Sequence, residues 1–379
     1  MQKAIFVAPL RTPFGRAFKG FLADTRPDDL LVRLIKSHKS RNPEIYDLDI
    51  DDLICGCAYP EGEQGYNIAR LVALGAELNV PGLTINRLCA SSLEAVAIAS
   101  ARINVGQADV ILVSGVESMS RIPRKGATYS ESEAIKNICP NAYINMGITA
   151  EEIASRSGIT RLTQEDFSAR SHELASYAYQ NNFYASHVLR MGEVSQDEGI
   201  RVPVDHNKMA TLKPVFKEDG QVTAATSSPL SDGAACGFIV NESTAKRFNL
   251  SGLEILDSCW GHVAPEVMGL GPIPAVQKLL NRNNLSPENL DAYEINEAFA
   301  VQVLACQQDL DLPIDRVNTW GGAISMGHPL GASGLRLMMT LYQRLTLLSK
   351  VDALGLATLC VGGGQGLAIL VRYVEKRAS

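Results

Sequence analysis

The chain has 379 residues, 46% hydrophobic and 20% charged, which is enough for two or three compact units with a large core and rules out a disordered polymer. A formal net charge of -6 without a dominant basic stripe argues against a nucleic-acid partner. No run of about 20 apolar residues argues for a membrane span, and eight cysteines without framework spacing point to a reducing compartment, so a cytoplasmic protein is expected.

In chain order, Lys3–Ala8 reads as a strand and Arg11–Gly15 as a turn. Asp29–His38 reads as a helix, Asp52–Ala58 as a strand, Asn67–Leu78 as a helix and Leu83–Asn86 as a strand. Ser91–Val105 follows as a helix with almost no polar face, so it is expected to be buried all round. Val110–Gly115 is an apolar, β-branched strand of the kind covered on both faces. The stretch 117–240 is more polar and offers one clear helix, Thr163–Tyr184, before a new strand at Ala235–Val240. The last part repeats the opening logic. It has strands at Glu254–Asp257 and Ala292–Ile295, a helix at Gly331–Leu347, and a hairpin of Ala353–Leu359 with Leu367–Tyr373 around the loop Gly362–Gly366. Two α/β halves of similar design predict a pseudo-duplicated fold with the site between them.

Three elements carry chemistry. Cys89 stands at a strand-to-helix turn, where helix N–H groups and the dipole favour a thiolate and then an oxyanion. A lone free cysteine is more often a small buried hydrophobe, and it is the buried helix and the neighbours below that favour a nucleophile. His328, framed by Gly327-His328-Pro329-Leu330-Gly331, is the expected base, with an ordinary pKa near 6.5. The bland alternative is a turn histidine with satisfied hydrogen bonds. Cys360 precedes a glycine loop with exposed N–H groups and is a second thiol able to move a proton. That loop lacks the Lys-Ser/Thr of a triphosphate-binding loop. Asn296-Glu297 at a strand end could hold a water or polarise a carbonyl, although Asn and Glu there are also routine caps. The other five histidines have no such frame and read as surface or structural. The remaining cysteines, Cys55, Cys57, Cys139, Cys236, Cys259 and Cys306, lack zinc spacing, and no metal is expected.

Taken together, Asn86–Ser92, Gly115–Ser120, Ser231–Ala235, Met268–Pro272, Asn296–Ala300, Gly321–Ala323, Gly327–Gly334 and Cys360–Gly366 resemble the thiolase family over almost the whole chain. The resemblance implies a layered αβαβα fold of two pseudo-duplicated halves. It places the N-terminal half at 1–116 plus 225–248, a loop domain covering the coenzyme A site at 117–224, and the C-terminal half at 249–379. It further implies that Cys89 carries the acyl group and that His328 activates it and, with a water held by Asn296, forms one oxyanion hole. The N–H groups of Cys89 and Gly362 would form the second hole, and Cys360 would be the general acid/base. Ser228 matches a residue that meets the pantetheine arm, and Met146, Met268 and Phe299 match positions around the acyl pocket. Coenzyme A is then a substrate, with no tightly bound cofactor.

The implied activity is cleavage of 3-ketoacyl-CoA by coenzyme A, in fatty-acid β-oxidation, by a homodimer with a tetramer as the alternative. A β-oxidation complex partner is conceivable. Trp320, where asparagine is common, Thr226, and Asn145, where acetoacetyl-specific members often have histidine, depart from the family pattern; together with a short Glu117–Met146 segment they lean to the dimeric degradative type. An acetyl-CoA C-acetyltransferase handling acetoacetyl-CoA is the close alternative. A decarboxylating ketoacyl synthase would want histidine or asparagine at Cys360, and a non-catalytic acyl-CoA carrier would have lost Cys89, His328 or Cys360.

Overall fold

A computed structural model describes residues 2–124, 126 and 128–375. Among the described residues ten strands are hydrogen-bonded together, nine along one path and β2 beside it: β1 (Ala4–Arg11), β2 (Gly15–Arg16), β3 (Asp52–Gly56), β4 (Gly82–Ile85), β5 (Val110–Ser118), β6 (Ser231–Asn241), β7 (Gly252–His262), β8 (Ala292–Ile295), β9 (Leu354–Val361) and β10 (Gln365–Val374). Their order is β4-β3-β5-β6-β1-β7-β10-β9-β8, with β2 on β6. The two halves meet where Ile5 pairs Glu254 and Phe6 pairs Leu253.

The duplication is visible in the pairing. In the first half β3 runs parallel to β4 and β5, and β6 then lies antiparallel to β5 and β1. In the second half β8 runs parallel to β9 and to an isolated bridge at Val317, and β10 lies antiparallel to β9 and β7. The helix Ser91–Asn104 connects β4 to β5, and the helix Leu330–Leu347 connects the Val317 bridge to β9. These two helices hold equivalent places in the two halves, as parallel crossovers require.

Alternation along the strands builds the layers. Ile111, Val113, Leu367 and Ile369 face a central core with both crossover helices. Val110 and Leu112 face outward to the helix Pro27–Arg41, while Ala368 and Leu370 face outward to the helices Pro272–Arg282 and Ala300–Asp309. The result is five layers, helices outside, sheet, helices inside, sheet, helices outside. Small residues let the central layer close up. A side chain at Gly334 would stand 2.3 Å from the Leu93 nitrogen, and one at Gly115 would stand 2.2 Å from the Gly331 carbonyl oxygen.

The expected strands and the long helices stand where the sequence put them, within a few residues. The stretch between β5 and β6 differs: its described residues hold four helices, Glu133–Ile138, Met146–Ser157, Arg161–Gln180 and His206–Ala210, not one. The missed Met146–Ser157 helix is capped by Asn145, which accepts from the Gly147 N–H at 2.8 Å, and ends at Gly158 in the left-handed region. Among the described residues no helix is long and apolar enough to cross a membrane.

Candidate active site

Each central helix begins at the same cavity. Cys89 lies in the 3-10 turn Leu88–Ala90 immediately before the helix Ser91–Asn104. Leu88 is forced to φ 44, a left-handed conformation that is costly for leucine. The Asn86 side chain accepts from the Leu88 N–H, and the Leu88 carbonyl takes the Ser91 hydroxyl at 2.6 Å, so both peptide groups of the strained residue are held. Glu94, the one acid of this helix, is buried, and it is matched by Arg87 at 2.7 Å and by the Trp260 ring N–H at 2.7 Å.

His328 occupies the equivalent position before the helix Leu330–Leu347. Its Nδ1 lies 2.6 Å from the Ser333 hydroxyl and its Nε2 lies 3.2 Å from Asn296 Nδ2. The loop around it is clamped by two buried carboxylates. Glu117, near the end of β5, accepts from the N–H groups of Ala58, Tyr59 and Gly331 and from the Gln64 amide. Glu297 accepts from the Ser171 hydroxyl, the Asn318 amide and the Ile324 N–H. Burial pushes both carboxyl groups above the usual carboxylate range, and these bonds pull them back.

Cys360 sits at the end of β9, 1% exposed, with the glycine turn next to it. The backbone N–H groups of Gly362 and Cys89 favour the charged form of the Cys89 sulfur. One cavity, about 1180 Å³ of empty space with its mouth included, is lined by Cys89, His328, Cys360, Gly362, Ser228, Met146, Met268 and Phe299. The stretch between β5 and β6 supplies much of its wall, including Met119, Tyr143 and Phe216, and Phe216 meets Phe299 edge to face at 5.9 Å between ring centres.

Two expectations, on the protonation of Cys89 and of His328, are corrected. Burial, with the Glu117 charge adding to it, pushes the Cys89 thiol up to about 11, outweighing the two N–H donors and Arg124 at the rim. The resting nucleophile is therefore a thiol, because desolvation of the sulfur exceeds what the helix terminus returns. Burial and the Arg336 charge push His328 down to about 3 rather than leaving it near 6.5, so the imidazole is a neutral acceptor at any ordinary pH. Asn296 is buried next to His328, with its amide nitrogen 3.2 Å from the imidazole Nε2. Burial also raises the Cys360 thiol well above its usual value, and the nearby Cys89 sulfur adds to the shift.

Sequence reasoning missed Arg336 and Ser333, both buried behind His328. Ser333 lies five residues beyond His328, one helical turn from Pro329, so its spacing was the available signal. Trp320 is explained by its surroundings: it stacks on Phe183 at 4.5 Å and receives Tyr184 edge-on, away from the imidazole.

Family models for the thiolase N-terminal domain and the thiolase C-terminal domain match residues 4–243 and 253–373. This chain belongs to the thiolase family. A 3-ketoacyl-CoA thiolase of Bacillus subtilis is 37% identical over 97% of this chain and 98% of the relative. One of Salmonella typhimurium is 39% identical over 99% of this chain and 100% of its own. The dimeric peroxisomal thiolase of Saccharomyces cerevisiae superposes with a TM-score of 0.91 at 33% identity, covering 98% of both chains. The acetyl-CoA acetyltransferase of Bacillus anthracis gives 0.87 at 33% identity, covering 99% of both. The thiolase fold and an acyltransferase activity follow for this chain.

Proposed function

We propose that this thiolase cleaves 3-ketoacyl-CoA with coenzyme A, giving acetyl-CoA and an acyl-CoA shortened by two carbons. The observation that carries the reading is the meeting of two thiols, one neutral imidazole and the Gly362 N–H in a single cavity. The His328 Nε2 takes the proton of the Cys89 thiol as the sulfur attacks the keto carbon. The new oxyanion is held by the protonated imidazole and by a water on Asn296, and the bond between C2 and C3 breaks. The acetyl-CoA enolate, with its oxygen held by backbone N–H groups, takes a proton at C2 from the Cys360 thiol and leaves. The shortened acyl group stays on Cys89. Coenzyme A gives its thiol proton to the Cys360 thiolate and attacks the thioester. Cys89 departs as a thiolate and recovers its proton from His328.

The high resting values of both thiols suit this sequence, since each is deprotonated only when a partner takes the proton. Ser228 meets the pantetheine arm, and Met146, Met268 and Phe299 shape the acyl pocket, with nothing tightly bound beyond the substrates. The segments 1–116 plus 225–248 and 249–379 form the two halves and 117–224 the cover. A cytoplasmic homodimer acting in β-oxidation is the assembly we infer, supported by the dimeric yeast neighbour, and a multienzyme partner in that route is compatible with it.

Incubation with 3-ketoacyl-CoA of graded length and coenzyme A should yield acetyl-CoA and shortened acyl-CoA in equal amounts with ping-pong kinetics; absence of acetyl-CoA from every length rejects the reading. The second reading, an acetyl-CoA C-acetyltransferase, is favoured by the Bacillus anthracis neighbour, and predicts turnover of acetoacetyl-CoA alone.

A further inference from the structure

The reaction cavity holds one charge that the reaction above does not use. Among the described residues that line it, Arg124 alone carries a permanent charge, and there is no Asp, Glu or Lys. Arg124 follows β5 and is exposed at the rim. Arg121, three residues earlier, is paired with Glu63. Arg124 has no hydrogen bond or ion pair to any described residue. Two side chains of the same lining add donors. Asn145 turns its oxygen to the Gly147 N–H at 2.8 Å, which leaves its NH2. Tyr143 accepts from the Ser132 N–H at 3.2 Å, which leaves its hydroxyl hydrogen. Apolar groups such as Met119, Ile144 and Phe216 make up much of the remaining wall.

An unpaired guanidinium in such a cavity suits an anion that enters with the substrate. Its N–H groups match the two oxygens of a carboxylate. A carboxylate drawn into an apolar cavity without a partner is strongly disfavoured, and Arg124 supplies the partner. An alkyl end would meet the same cation with nothing to pair. The phosphates of coenzyme A are the competing anion. The whole pantetheine arm separates them from the sulfur, however, whereas the Arg124 charge is felt at Cys89, where it favours the thiolate. A group that meets Arg124 therefore belongs to the acyl end of a substrate bound at Cys89.

We propose that Arg124 is a specificity-determining residue that binds a carboxylate at the far end of the acyl chain, so that the enzyme prefers 3-ketoacyl-CoA with a terminal carboxylate to its alkyl-ended counterpart. This rests on the reading of the chain as a 3-ketoacyl-CoA thiolase. The test compares kcat/KM on the full chain for 3-oxoadipyl-CoA, whose acyl group ends in a carboxylate, and 3-oxohexanoyl-CoA, equally long but ending in a methyl. The same pair lengthened by two carbons is measured alongside. Wild type should favour the carboxylate member of at least one pair by about 10-fold or more. Arg124→Met, similar in length but uncharged, should remove that preference. Arg124→Glu should invert it, and Arg124→Lys should keep part of it. A wild-type enzyme without the preference in either pair overturns the proposal. So does a preference that survives in Arg124→Met because both members lose rate equally, which would assign Arg124 to the phosphates or to Cys89 alone. In both cases acetyl-CoA from the methyl-ended substrates leaves the thiolase reading standing. Acetyl-CoA from no member of either pair rejects both.

Discussion

Gly362 and Cys89 line one cavity and the Gly362 N–H favours the Cys89 thiolate, so the turn after β9 and the turn before the first central helix meet although they lie far apart in sequence. A side chain at Gly362 would stand 2.8 Å from Leu88 Cδ1, on the strained residue next to the nucleophile. Gly362→Ala should therefore displace both the donor and the Leu88 turn. We expect kcat to fall by about 10²-fold or more with a smaller change in KM. Steady-state kinetics check this, and an unchanged kcat would remove Gly362 from the oxyanion site.

Cys89→Ala should abolish the acyl-enzyme, read as loss of mass-labelled protein after incubation with an acyl-CoA. Label still trapped on the variant would refute the covalent route through Cys89.

Cys360→Ala should separate the two half-reactions. Acylation of Cys89 by a simple acyl-CoA should persist, while cleavage of 3-ketoacyl-CoA should fall by about 10²- to 10⁴-fold, the usual worth of a positioned acid or base. Full thiolysis by this variant would assign the proton transfer to another group.

Glu117→Gln should destabilise the protein by about 1–3 kcal/mol, because a Gln side chain sets an NH2 against N–H donors that now share one buried carboxylate. Since Gly331 hangs from the same carboxylate, activity should fall with stability. Thermal melting and thiolysis on the same sample check both.

His38 gives a pH signature. It is buried between the Ala8 carbonyl and the Tyr46 hydroxyl, and burial pushes it down to about 4. The unfolded chain binds a proton here below its ordinary value and the folded one does not. The stability this residue contributes is thus complete above about pH 6.5 and is lost as pH falls towards about 4. Between about pH 7 and about pH 5 the loss is about 2 kcal/mol. His38→Gln should flatten that part of the curve in chemical denaturation, and an equal slope in both proteins would show that His38 does not carry it.

Local patterns made much of this molecule legible. The apolar strands and the featureless helix Ser91–Asn104 announce burial by composition, and the glycine frames of His328 and Cys360 announce tight turns. What stayed hidden depends on partners distant in sequence. Glu294 in β8 gives no sign that Arg336 and Arg344 will meet it, and Arg336 in a helix reads as a solvated cation. The protonation of Cys89 and His328 was misjudged for the same reason, since burial is set by layers that come from both ends of the chain. The helix Met146–Ser157 escaped because its polar residues masked the period, although Asn145 and Gly158 punctuate it.

The two central helices pack on each other between the sheet layers, with one reacting group at the start of each; the first is not buried all round as its composition suggests, since Ala101 and Val105 at its end are exposed. The buried turns at their starts can meet solvent only when the whole molecule opens, so hydrogen exchange in Leu93–Ala99 and Gly334–Leu341 should report the slowest, global opening. The spacing of nucleophile and base is then insulated from partial opening at the rim. On heating, catalysis and fold should disappear together in one transition, with no softened, inactive form preceding it.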